Sequence, residues 1–126
     1  MKAKVLLDTN FILIPAKFKV DIYSEINRVI EEPYELYVLD KSLDELDSII
    51  ETSKGKEKAF ARLGKAILKA KKPKTLKTTS MDYVDNIILG LDGYIVATVD
   101  HDLRAKLKKR GVRTIVLRQK RYLVLD

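Results

Sequence analysis

The stretch VLLDTNFIL, residues 5–13, decides how the rest of the chain is interpreted. Its first three residues are apolar and predict the end of a buried strand, but the next residue is the acidic Asp8. A buried carboxylate is costly unless it is neutralised or coordinated. Asp8 is therefore either a cap for a short turn beginning near Asn10 or a ligand. As a ligand, it would have help from Thr9, which can bond the carboxylate, and from Asn10, which offers a neutral oxygen.

Short apolar runs alternate with helical patterns along the chain. Strands are predicted near residues 4–7, 35–39, 75–78, 94–98 and 113–117, and helices near 21–31, 42–51, 56–71, 81–91 and 102–110. Continuous apolar strands that alternate with helices favour a parallel sheet covered on both faces. The predicted fold is a single-domain, three-layer α/β/α structure over residues 1–126 with a mainly parallel sheet. RYLVLD (121–126) should add an edge strand after a turn near Gln119.

The composition narrows the function classes. No apolar run approaches the ~20 residues that span a bilayer, and Asp8 interrupts the N-terminal stretch too early for a signal peptide. These features predict a cytoplasmic protein without a membrane partner. The chain has no cysteine, which excludes disulfides, thiolate metal sites and thiol nucleophiles. A metal would have to be bound by oxygen ligands or by His101.

The net charge of +7 is unevenly distributed. Residues 21–53 hold ten acids and two bases, whereas 54–77 hold ten bases and one acid, and 101–126 hold nine bases and two acids. Either basic block alone is also explained as a solvated helix face, but together they favour a polyanionic partner such as nucleic acid. The residues predicted to contact this partner are Lys65, Lys69, Lys72, Lys108, Lys109 and Arg110.

Several acids have an ordinary structural explanation. Glu45 follows Ser42 by three residues, as in a capping box. Asp82 lies in TSMD, where Thr79 would cap a helix, and Asp100 precedes a predicted helix that it could cap. For each of these acids, both the capping role and a role in a functional site stay open.

Asp85 lacks such an explanation. Helical geometry places it on the rim of an apolar face, between Met81 and Leu89. Residues 78–100 contain no base to neutralise it, so a metal ion is the simplest candidate to bind the Asp85 carboxylate. If the strand predictions hold, four acids converge at one end of the sheet: Asp8, Glu45, Asp85 and Asp100. Clustered carboxylates need a cation to stay ionised, and oxygen ligands suit Mg²⁺ or Mn²⁺.

Four motifs in order, LLDTNFIL, SLDELDSI, SMDYVDNIILG and VATVDHDLRAKLKKRGV, resemble the PIN-domain nuclease family along essentially the whole chain. The resemblance implies a PIN-like fold with an acidic pocket for Mg²⁺ or Mn²⁺. It assigns catalysis to Asp8, Glu45, Asp85 and Asp100, with Asp8, Asp85 and Asp100 as metal ligands. Supporting roles fall to Thr9, Asn10, Asp82, Thr98 and Asp102. The family often shows paired acids where this chain has Asp85 followed by Asn86, with Asp82 one turn earlier.

The predicted function is hydrolysis of RNA phosphodiester bonds by a metal-dependent endoribonuclease. The chain looks most like small archaeal PIN proteins related to rRNA-processing nucleases, and VapC-type toxins share the same residues. Expected partners are RNA, a second copy in a homodimer, and an antitoxin or a ribosome-assembly partner. One alternative is a non-catalytic RNA- or ribosome-binding scaffold. Another is a phosphatase or receiver-type pocket, which needs either a second acid two residues after the nucleophilic aspartate or a partnering lysine late in the chain. After Asp8 this chain has Thr9 and Asn10.

Overall fold

The computed structural model describes residues 2–79 and 81–126. The strands are β1 (Ala3–Leu7), β2 (Tyr34–Leu39), β3 (Lys74–Leu76), β4 (Ile95–Ala97), β5 (Thr114–Arg118) and β6 (Tyr122–Leu125). The helices are α1 (Thr9–Ile12), α2 (Ile14–Phe18), α3 (Ile22–Val29), α4 (Asp40–Thr52), α5 (Lys56–Ala70), α6 (Val84–Leu89) and α7 (His101–Lys109).

The six strands form one sheet in the order β3-β2-β1-β4-β5-β6. The pairs from β3 to β5 are parallel, and β6 is antiparallel to β5 at the edge. Both the mainly parallel sheet and the final edge strand are thus confirmed. β5 and β6 are joined by residues 119–121, where Gln119 and Lys120 have positive φ angles of 53° and 54°. The Arg121 N–H donates to the Arg118 carbonyl oxygen at 3.0 Å, so these two residues are the central pair of a tight β-turn.

Helices cover both faces of the sheet, as predicted. Leu6 of β1 packs in one apolar cluster with residues of α6 and α7, including Ile88 and Leu103. Its neighbours Val5 and Leu7 pack in the other cluster, which includes residues of α1 to α5. Successive strand residues point to opposite faces, so α1 to α5 lie on one side and α6 and α7 on the other.

A close contact between α1 and α5 holds the start of the first helical segment against the sheet. Gly64 of α5 lies so near the Ile12 carbonyl oxygen that an added Cβ would come within 2.9 Å of it. Any larger residue at this position would push α5 away from α1. Gly64 therefore helps to position the residues that follow Asp8.

Two helix starts differ from prediction. α4 begins at Asp40 rather than near residue 42, so Ser42 lies inside the first turn and is fully buried. The capping-box explanation for Glu45 is therefore wrong. α6 spans Val84–Leu89 rather than residues 81–91, and its N-cap position is Tyr83. Thr79 is therefore not the cap, while Ser80 of the TSMD motif lies outside the described residues. None of the helices in residues 2–79 and 81–126 is long and apolar enough to cross a bilayer.

Candidate active site

The candidate site lies at the carboxyl ends of β1 and β4. Asp8 directly follows β1, and Thr98 directly follows β4. β1 is the strand from which the sheet extends to β2 on one side and to β4 on the other. In open parallel sheets this switch in strand order leaves a crevice beyond the carboxyl ends, where ligands bind.

Asp8 is held by hydrogen bonds at both carboxylate oxygens. Its Oδ1 accepts from the Thr9 backbone N–H at 2.8 Å, and its Oδ2 accepts from the Thr98 hydroxyl at 2.8 Å. Asp8 is only 6% exposed and Thr98 only 1%. No Lys or Arg side chain among the described residues forms an ion pair with Asp8. The carboxylate therefore has a fixed orientation but no positive charge beside it.

The electrostatics of Asp8 follow from this environment. Burial raises its pKa above the usual value, and the negative charges of Asp85 and Glu45 raise it further. The hydrogen bonds from Thr98 and Thr9 act in the opposite direction but do not cancel the effect. Asp85 and Glu45 are therefore close enough to Asp8 for their charges to act on it.

Glu45 is brought to Asp8 by Thr9. The Thr9 hydroxyl donates to Glu45 Oε1 at 2.7 Å, across 36 residues of sequence. Thr9 therefore binds both acids, using its backbone N–H for Asp8 and its side chain for Glu45. Thr9 was predicted to bond the Asp8 carboxylate, and its backbone N–H does so, while its hydroxyl binds Glu45.

Asp85 and Asp82 occupy different positions around the start of α6. Asp85 is exposed in the first turn of the helix. Asp82 precedes the helix, and its Oδ1 accepts hydrogen bonds from the Tyr83 N–H and the Asn86 side chain, both at 2.8 Å. Asp82 thus organises the start of α6, while Asp85 is the one of the two whose charge acts on Asp8.

Asp40 and Lys41 at the start of α4 were not predicted to belong to the site. Asp40 accepts hydrogen bonds from the Thr78 N–H at 3.0 Å and the Thr78 hydroxyl at 2.8 Å. Lys41 Nζ donates to the Asp82 carbonyl oxygen at 2.9 Å. These bonds join α4 to the chain before α6. Residues 78–100 contain no base, but α4 supplies one from elsewhere in the sequence, a contact that no local pattern could have indicated.

Asp100 is the N-cap of α7, as its structural explanation predicted. Its Oδ1 accepts from the backbone N–H groups of Asp102 and Leu103, and its own N–H donates to the Thr98 hydroxyl at 3.1 Å. Thr98 thus connects Asp100 to Asp8. Asp102 is exposed in the first turn of α7, and Asn10, also exposed, lines a groove together with Asp100.

The acids do not form a preassembled metal cage. Across residues 2–79 and 81–126, no three Asp, Glu or His side chains are arranged so that they could hold one metal ion. Asp8, Glu45 and Asp85 interact through their charges, and Asp100 is linked to Asp8 only through Thr98. A cation bound by three of these carboxylates at once would require the exposed ones to move toward Asp8, whereas one or two carboxylates with waters are enough for Mg²⁺.

The residues predicted to contact RNA fall into two groups. Two of them form ion pairs, Lys65 with Asp47 and Lys108 with Asp126, the latter at 3.3 Å. Lys108 is nevertheless exposed, as are the other four residues, which are Lys69, Lys72, Lys109 and Arg110. The side chain of Lys65 is less accessible to a phosphate backbone, with an exposed fraction of 23%.

Comparison with known proteins identifies the class. The family model of the PIN-like domain matches residues 5–120, and the chain belongs to this family. It is 34% identical over 125 residues to Ribonuclease VapC4 of Methanocaldococcus jannaschii, an alignment that covers 94% of this chain and 93% of that protein. The structure of the PIN domain endonuclease Utp24 superimposes with a TM-score of 0.79, covering 98% of this chain and 90% of the other at 21% identity. This last likeness concerns the fold.

Proposed function

We propose that this protein is a metal-dependent endoribonuclease whose active site is the crevice around Asp8. The observation that carries the proposal is the buried Asp8 carboxylate, which is held by Thr9 and Thr98 and lies within the electrostatic reach of Glu45 and Asp85. The fold does not require a charge here, because the turn after β1 could be capped by a neutral residue such as serine. The similarity to Ribonuclease VapC4 supports RNA as the substrate.

The donor set fits Mg²⁺ or Mn²⁺. All the candidate ligands, Asp8, Asp85 and Asp100, supply carboxylate oxygens, which these ions prefer. A divalent ion would offset the burial of the Asp8 charge, which is the main reason for its raised pKa, and the smaller repulsion from Asp85 and Glu45. When bound, such an ion supplies a water of lowered pKa and a countercharge for the scissile phosphate.

Each side chain of the site has a separate role in the proposed reaction. Asp8, fixed at both oxygens, anchors the site, and Thr98 keeps its orientation. Glu45, oriented by Thr9, positions and deprotonates the attacking water. Asp85 completes the acidic shell from the opposite side of the sheet. Asp82, Asp102 and Asn10 support the site at its edge.

The biological setting is an extension of this proposal. The name of the relative supports a VapC-type toxin, which would have an antitoxin partner. A role in rRNA processing with a ribosome-assembly partner, and a homodimer in either setting, stay predictions, as does a cytoplasmic location. The competing function is an RNA-binding scaffold that does not cleave.

The proposal is tested by cleavage of RNA. Purified protein incubated with a pool of structured RNA should produce internal cuts in the presence of Mn²⁺ and none in excess EDTA, because the acids alone lack a countercharge for the phosphate. Gel analysis of end-labelled RNA measures the result. RNA binding without cleavage under all metal conditions would favour the scaffold.

A second prediction concerns the exposed residues Lys69 and Lys72. Replacing Lys69 and Lys72 with glutamine should weaken RNA binding and lower the slope of log affinity against log salt by about one unit for each lost phosphate contact. Lys65→Gln is the matched control, since Lys65 lies on the same helix but is already paired with Asp47. Fluorescence anisotropy at several salt concentrations measures both slopes. Equal slopes for the double variant and the wild type would mean that these lysines are a solvated face.

A further inference from the structure

A groove of about 430 Å³ opens beside the acidic residues. Its volume lies within the ~300–1,000 Å³ of small-ligand sites. Asp100 and Thr98 form part of its wall, and the Thr98 hydroxyl donates to Asp8 at 2.8 Å. The groove therefore begins one side chain away from the carboxylate that anchors the proposed active site.

The wall of this groove combines an aromatic ring with positive charges. Phe18, at the end of α2, and Val99 are each 37% exposed although both are apolar. Lys17 and Lys120 line the same groove, and Lys120 Nζ lies 5.4 Å from the centre of the Phe18 ring. An exposed aromatic ring beside cations is the combination that single-stranded nucleic acids bind, with the base on the ring and the phosphate on the cations.

One further detail of the wall agrees with a ligand. Arg104 also lines the groove; its Nη2 is paired with Asp126 at 2.6 Å, while its Nε is a buried donor for which the described residues provide no acceptor. The turn between β5 and β6 carries the cationic side chain of Lys120, which reaches over Phe18.

We propose that this groove binds the nucleotide next to the scissile phosphate of a single-stranded RNA segment. The base stacks on Phe18, and Lys17 and Lys120 contact the phosphate of the same nucleotide. This inference rests on the proposed function, because it takes the crevice at Asp8 as the place of cleavage. The groove is then a subsite of the active site. By holding one nucleotide, it places the adjacent phosphodiester bond over the acids.

The test measures binding rather than cleavage, so that it remains informative if the protein proves to be a scaffold. The probe is a fluorescein-labelled heptauridylate, and the background is Asp8→Asn, which prevents turnover. Phe18→Ala should weaken binding by about 5- to 150-fold, the range expected for loss of one stacked base. Phe18→Leu keeps an apolar contact without a ring face and should lose a similar factor, while Phe18→Tyr should bind normally. The matched control is Tyr122→Ala, which removes an aromatic side chain that is 39% exposed outside the groove, and its affinity should change less than about twofold.

A second experiment identifies which base of the RNA stacks on Phe18. Heptamers with a single abasic site at each position should show one position whose base matters most, and this preference should disappear in Phe18→Leu. Lys17→Gln with Lys120→Gln should lower the salt slope by about 0.7 unit, the value for one phosphate contact on a single strand, whereas Lys54→Gln, outside the groove, should leave it unchanged. Unchanged affinity in both Phe18→Ala and Phe18→Leu, with folding verified by thermal melting, would overturn the proposal.

Discussion

Replacing Asp8 with asparagine is expected to lower RNA cleavage by about a thousandfold or more, the size of effect seen when a charge-stabilising group is lost from an active site. Asparagine keeps the size of the side chain and can still accept from the Thr9 N–H, so the turn after β1 should survive. What is lost is the negative charge, and with it the anchor for a divalent ion. Single-turnover cleavage of end-labelled RNA in saturating Mn²⁺ measures the effect.

The same substitution should stabilise the protein in the absence of metal. The pKa of Asp8 is raised in the folded state, above all because the carboxylate is buried. A group with a raised pKa contributes stability below its unfolded pKa and loses that contribution as pH rises through the folded pKa. At neutral pH the charged Asp8 therefore destabilises the folded state, and Asp8→Asn should raise the Tm by roughly a few degrees. The gain should shrink as the pH falls and wild-type Asp8 becomes protonated.

The matched control for Asp8 is Asp21→Asn. Asp21 also caps a helix, but it is exposed, and hydrogen bonds from Ser24 lower its pKa. Removing its charge should leave cleavage unchanged and slightly reduce stability at neutral pH, the opposite sign from Asp8. If Asp8→Asn behaves like Asp21→Asn in both assays, Asp8 is only a cap and the active-site proposal fails.

Asp85→Asn is expected to reduce the cleavage rate by about a hundredfold or more with RNA affinity nearly unchanged. Asp85 is the acid of α6 whose charge acts on Asp8, and its exposed side chain is able to turn toward a bound cation. A group that acts mainly in the transition state affects turnover more than binding. Single-turnover rates and anisotropy binding curves, both in Mn²⁺, separate the two effects.

Asp82→Asn provides the comparison within the same segment. The hydrogen bonds of Asp82 with Tyr83 and Asn86 hold the start of α6, and an asparagine oxygen is able to accept both. Cleavage should fall by less than about threefold, together with a small loss of helix stability. The reverse outcome, an inactive Asp82→Asn and an active Asp85→Asn, would move the third acidic position one helical turn toward the N-terminus.

The sequence alone determined the layers of this fold and two of the four acidic positions. Continuous apolar runs mark parallel strands because such strands are buried on both faces. The carboxyl ends of these strands follow directly from where the apolar runs stop. The positions of Asp8 and Asp100 after β1 and β4 were therefore predictable, and so was the capping role of Asp100 at α7.

Helix starts were less predictable, because a capping pattern is only one of the forces that set them. Ser42 with Glu45 fits a capping box, yet α4 begins earlier, at Asp40. The Asp40 carboxylate is held by Thr78, which lies 38 residues away in the sequence. Such a bond exists only after β2 and β3 have paired, so it cannot be predicted from the sequence around Ser42.

Only the tertiary structure decided which polar side chains meet. Glu45 reaches the site through Thr9, and Lys41 contacts the chain beside Asp82. Lys65 is paired with Asp47 of α4. Hydrogen bonds and ion pairs act over a few ångströms, and that distance between remote residues is set by how whole helices pack on the sheet. Hydrophobic periodicity is a local property of the chain, whereas the arrangement of polar groups around Asp8 is a property of the packed fold.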